Sequence, residues 1–92
     1  MINALEIGDN TITVQDTQMG DVYALPTNAD ETVTYTITIG ANGVIVLNTG
    51  DVYMDEGETI DITVPAGETV TLNVGAYSFS DNVATVNLAI KE

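Results

Sequence analysis

The sequence predicts an all-β protein: an antiparallel β-sandwich of about seven to nine short strands. Three observations predict it. Apolar residues recur at every second position in run after run, the period of a strand with one buried face. Clusters of Gly, Asn, Asp and Pro punctuate those runs and turn the chain. No stretch of about ten residues or more carries a helical period, and the scattered Gly and β-branched residues disfavour helix. Alternation is the same for two facing sheets and for one closed sheet, so a small β-barrel is the alternative architecture.

The elements follow in chain order. Residues 1–7 hold Ile2, Leu5 and Ile7. They read either as the first strand, with Leu5–Ile7 as its short strand candidate, or as an assembly arm that adds to the sheet edge of a neighbour. Gly8-Asp9-Asn10 reads as a polar turn, and Thr11–Val14 and Val22–Leu25 as short strands. Pro26 to Glu31 is a longer polar loop. Thr32 to Ile39 alternates without error: Val33, Tyr35, Ile37 and Ile39 take one face, and Thr32, Thr34, Thr36 and Thr38 the other. Thr is β-branched and suits an exposed strand face while keeping a hydroxyl in water.

Gly40-Ala41-Asn42-Gly43 turns the chain, since Asn-Gly accepts positive φ at low cost. Val44–Leu47 and Val52–Met54 are short strands separated by the turn Asn48-Thr49-Gly50-Asp51. Asp55-Glu56-Gly57-Glu58 is a further turn. Ile60, Ile62 and Val64 alternate with Asp61 and Thr63; Val70, Leu72 and Val74 alternate with Thr71 and Asn73. Pro65-Ala66-Gly67-Glu68 lies between these two runs and reads as a hairpin connection. Ala76–Phe79 is another short strand; Ser80-Asp81-Asn82 then leads into Ala84, Val86, Leu88 and Ile90. No linker, composition break or internal repeat divides the chain, so residues 1–92 form one domain.

A chain of 92 residues buries about 60–65% of the surface it exposes unfolded. With no Cys and no His, it has neither a disulfide nor the usual zinc ligands to reinforce a modest core. Stability has to come from packing, oligomer contacts or docking onto a larger assembly.

The charge is one-sided: Lys91 is the single cation against 14 acids, a formal net charge of −13. Nucleic acids and anionic membranes are repelled by such a chain. The acidity favours solubility and resistance to clumping, and it also suits a saline setting or a basic partner surface. The longest aliphatic run is Val44 to Leu47, far short of a membrane span, and Met1 to Glu6 lacks the basic start and apolar run of a secretory signal.

The residues offer little chemistry. Catalysis at neutral pH draws on His, Cys, Lys or Arg, or on paired carboxylates in a cleft. Only carboxylates are present in number, densest at Asp51, Asp55, Glu56, Glu58 and Asp61. Asp51, Asp55 and Glu56 are the candidates for calcium, which takes six to eight oxygens, although their spacing is not that of an EF-hand loop. A solvated acidic surface is the plainer reading of these residues, and of Asp9, Asp16 and Asp21. No other cofactor is expected. Tyr35 falls on the aliphatic face of its strand, Tyr77 and Phe79 share a face, and Tyr23 and Tyr53 each follow an Asp-Val pair. Core or sheet-rim packing is the default for aromatics this sparse, against a sugar-stacking surface.

A Thr-rich alternating strand, a Gly-containing turn, an aliphatic strand, Asn48-Thr49-Gly50-Asp51, the stretch Val64-Pro65-Ala66-Gly67-Glu68-Thr69-Val70 and a closing strand Val83–Ile90 follow one another. From about Asp21 to Ile90 this order resembles the immunoglobulin-like β-sandwich modules of virion accessory proteins and bacterial surface proteins of the choice-of-anchor type. The chain departs from that pattern where Gly40–Gly43 precedes the Asn-Thr-Gly turn and where Leu72-Asn73-Val74-Gly75 replaces a Phe-x-Pro ending. No binding residue carries over. The charge argues against nucleic-acid and membrane partners, and the sparse chemistry argues for a non-enzymatic structural module that docks on other protein subunits. The expectation is a virion decoration or accessory protein, homo-oligomeric or seated on a larger assembly formed in a host cytoplasm, with Ile2, Leu5 and Ile7 as candidate contacts. The alternative is a cell-surface binding module, an adhesin or glycan-binding domain of a longer chain.

Overall fold

The computed structural model describes residues 2–13, 22–75 and 85–92. They form nine strands: β1 (Ile2–Ala4), β2 (Gly8–Thr13), β3 (Val22–Ala24), β4 (Val33–Ile39), β5 (Gly43–Leu47), β6 (Gly50–Met54), β7 (Thr59–Val64), β8 (Thr71–Gly75) and β9 (Thr85–Lys91). The first sheet runs β1-β3-β8-β5-β6 and the second β2-β9-β4-β7. The two sheets are open, with β1 and β6 ending one and β2 and β7 the other, so the fold is a β-sandwich and the barrel alternative falls. Among the described residues all pairings are antiparallel except β1 with β3.

Period-two alternation becomes the core directly. Tyr35, Ile37 and Ile39 of β4, Ile62 and Val64 of β7, and Val86, Leu88 and Ile90 of β9 point inward from the second sheet. Tyr23, Ile45, Met54, Leu72 and Val74 meet them from the first. Ile37, Ile39, Ile45 and Leu88 are completely sealed from solvent. Burying one such side chain contributes about 1.5–3 kcal/mol. Apart from the hydroxyls of Tyr23 and Tyr35, no side chain of the core is polar or charged among the described residues.

Four local expectations change. Leu5–Ile7 is not a strand: β1 ends at Ala4, and residues 5–7 carry the chain from the first sheet to the second. Gly8-Asp9-Asn10 is not a free turn but the start of β2, paired with Ile90, Ala89 and Leu88. The Asn10 side chain compensates the abrupt switch: its Oδ1 accepts from the Glu6 N–H, and its Nδ2 donates to the carbonyls of Glu6, Gly8 and Leu88.

Pro65–Glu68 is not a hairpin, because β7 and β8 belong to different sheets. The Glu68 N–H closes the turn on the Pro65 carbonyl, while Gly67 and Ala66 are tied to Asn28 and Thr32 of the long loop. Among the described residues only β5 and β6 are successive strands that pair, around Asn48-Thr49. At Gly43 the expectation of positive φ also fails. Its φ is not positive, and the residue is buried at the start of β5. A Cβ there would lie 3.0 Å from the Gly75 carbonyl oxygen and 3.0 Å from Ile39 Cδ1. Close packing, not turn geometry, requires this glycine. Ala76–Phe79, Ser80–Asn82, Val14 and Ala84 lie outside the described residues.

Candidate functional site

The acidic candidates are spread by the strand that bears them. Asp51 lies near the start of β6, beside the Asn48-Thr49 turn, while Asp55 and Glu56 follow its end. At about 3.3 Å per strand residue, Asp51 and Asp55 are separated by roughly 13 Å. Asp55 and Glu56 belong to a tight turn with internal uses for its polar groups. The Asp55 N–H donates to Glu58 Oε1 at 2.6 Å, the Glu56 N–H to Asn42 Oδ1 at 2.8 Å, and the Glu58 N–H to the Asp55 carbonyl at 3.0 Å. Among the described residues no three acids gather in a way that would hold a metal ion.

This turn also sets the register of β7. Gly57, at φ 88°, donates its N–H to the Ile39 carbonyl, and the Ile39 N–H donates to the Glu58 carbonyl. That is a bulge with glycine in its left-handed position. Beyond it, antiparallel alternation turns the backbone groups of Ile60, Ile62 and Val64 toward β4, and those of Thr59, Asp61 and Thr63 outward.

The N-terminal candidates separate. β1 pairs in parallel with β3, Ile2 opposite Val22, within the same chain. The Leu5 N–H extends that pairing to the Ala24 carbonyl, and the Leu5 side chain is 4% exposed, in the core. Ile7 is 53% exposed. The tyrosines do not form one platform: Tyr23 and Tyr35 are buried, the Tyr35 hydroxyl donating to the Pro26 carbonyl, and Tyr53 stands 64% exposed on β6. Tyr77 and Phe79 lie outside the described residues.

The outer faces of the two sheets differ in chemistry. On the second sheet the outward positions are largely hydroxyls and acids. Thr34 and Thr63 share a hydrogen bond at 3.0 Å, and the Thr36 hydroxyl donates to Asp61 at 2.8 Å. On the first sheet the outward positions of its three inner strands are Val22 and Ala24 (β3), Thr71, Asn73 and Gly75 (β8), and Val44 and Val46 (β5). All are half-buried, and none is charged. Charge returns only at the β6 border, where Asp51 lies opposite Val46 and the exposed Tyr53 opposite Val44.

An open groove of about 730 Å³ runs beside β7, between that strand and the end of β5. Leu47, Ile62, Pro65 and Val70 supply its apolar lining, and Asp61 and Glu68 are its acids. Sequence reasoning missed both this groove and the uncharged face. A trace of the face was present: Val22–Leu25, Gly43–Leu47 and Thr69–Gly75 contain no charged residue in a chain with 14 acids.

No family model matches the chain, and no curated protein or solved structure matches it.

Proposed function

We propose that this chain is a non-enzymatic interaction module, a virion decoration or accessory protein. It docks on other protein subunits through the outer face of its first sheet. The observation that carries the reading is the absence of charge on β3, β5 and β8 in a chain whose net charge is −13. Val22, Val44 and Val46 lose little by leaving water there, and no carboxylate has to be desolvated. The fitting partner surface is uncharged and weakly apolar, the make-up of an interface core. The acidic remainder of the molecule then faces solvent, where it repels neighbouring particles. The likeness of the strand and turn order to virion accessory modules supports the choice of assembly.

Cryo-electron microscopy of the source particle tests it. Density for the sandwich, with β3, β5 and β8 against a capsid subunit, is the expected result. A particle lacking the chain, or one that contacts it through the threonine face, overturns the reading. Recovery of the chain from the cell surface instead favours the adhesin alternative.

A further inference from the structure

We propose that the outer edge of β7, with the groove beside it, takes an extended lysine- or arginine-bearing segment of a partner protein as an added strand. The edge belongs to the second sheet and the groove lies between it and the end of β5, so this surface is distinct from the uncharged outer face of the first sheet.

Three features of the edge meet in one place. Thr59, Asp61 and Thr63 direct backbone donors and acceptors away from β4, and among the described residues no strand pairs with that side of β7. An unpaired edge of this kind is a template for another strand. Its six residues span about 20 Å, room for a full peptide strand. The adjoining groove offers apolar surface from Leu47, Ile62, Pro65 and Val70, where alternate side chains of an added strand would lodge. The β6 edge lacks this, since none of its residues lines the groove.

Charge decides the occupant. Asp51, Asp55, Glu56, Glu58, Asp61 and Glu68 all lie on β6, β7 or the turns flanking them. A second copy pairing edge to edge would set these carboxylates against one another, and like charges directly opposite destabilise a strand pair. Natural edges carry charge for that protection. The same carboxylates attract a strand that alternates cationic and apolar residues, the cations toward the acids and the apolar side chains into the groove.

Titration with a short capped peptide of alternating lysine and valine, followed by amide chemical shifts, tests this. The largest shifts are expected in Thr59–Val64 and around Val70. Thr63→Pro removes one outward N–H and keeps the β4-facing bonds of its neighbours, so it should weaken binding about tenfold. Glu68→Gln should weaken it less and reduce its salt dependence. A peptide of equal charge, N-methylated at alternate residues, repeats the Thr63→Pro test without altering the protein. Equal binding by the methylated peptide, or shifts scattered away from β7, would mean simple charge attraction and overturn the proposal.

Discussion

The side-chain amide of Asn10 grips the backbone of Glu6 from both sides. Its Oδ1 accepts from the Glu6 N–H and its Nδ2 donates to the Glu6 carbonyl, each at 2.9 Å. The segment between them is where the chain leaves the first sheet for the second, and the same Nδ2 reaches the Leu88 carbonyl of β9 at 3.2 Å.

Replacing Asn10 with Ala removes those bonds and should cost about 1–3 kcal/mol in a urea or thermal melt. Asn10→Asp is the sharper variant. It keeps the acceptor for Glu6 N–H but turns a carboxylate toward the carbonyls of Glu6, Gly8 and Leu88, so it should be at least as unstable as Asn10→Ala. A melt in which Asp is tolerated better than Ala would show that the amide donors contribute nothing.

Gly43→Ala should destabilise by about 1–3 kcal/mol, the usual cost of overpacking. The added methyl meets the Gly75 carbonyl oxygen and Ile39 Cδ1, each at 3.0 Å. Gly57→Ala fails for a different reason: nothing lies within 4 Å of its Cβ, but φ is 88°. Its cost should be about 1–2 kcal/mol from the left-handed backbone alone. Combining Gly43→Ala with Ile39→Val separates the two cases in equilibrium unfolding. The smaller side chain removes the Ile39 Cδ1 contact but not the one with the Gly75 carbonyl, so it relieves Gly43→Ala in part and leaves Gly57→Ala unaffected.

With a net charge of −13, the folded state carries unbalanced repulsion that salt screens. The melting temperature should therefore rise with NaCl. Calcium and magnesium at equal millimolar concentration should raise it by the same amount, because Asp51 is held away from Asp55 and Glu56 by the length of β6. A rise with calcium that magnesium does not reproduce would require those carboxylates to converge, contrary to the structure.

Much of the strand inventory was legible before the fold was known. β4, β7, β8 and β9 lie where alternation places them, since a strand at the surface of a two-layer core writes its burial into every second residue, and β5 lies on the aliphatic run Val44 to Leu47. The N-terminal switch was not legible. Gly8-Asp9-Asn10 has turn composition, yet Asn10 occupies an inward register position opposite Leu88, where its amide is consumed by backbone carbonyls. Composition reports what a residue prefers in isolation, and a side chain that satisfies distant backbone groups can override it. The candidate surfaces were legible only in part. Uncharged stretches are visible one by one, but nothing local says that β3, β8 and β5 lie side by side.

The sequence by itself determined the class of the molecule: two-faced strands, an aliphatic interior, an acidic and hydroxyl-rich exterior, and few groups suited to catalysis. Those properties reside in single residues and their nearest neighbours along the chain. Tertiary structure alone decided which strands pair, that Pro65–Glu68 crosses between sheets, that Gly43 is a packing position, and that Leu47, Ile62 and Val70 face one groove. Strand pairing is chosen by contacts between residues far apart in sequence, and period-two alternation is the same whichever partner a strand takes.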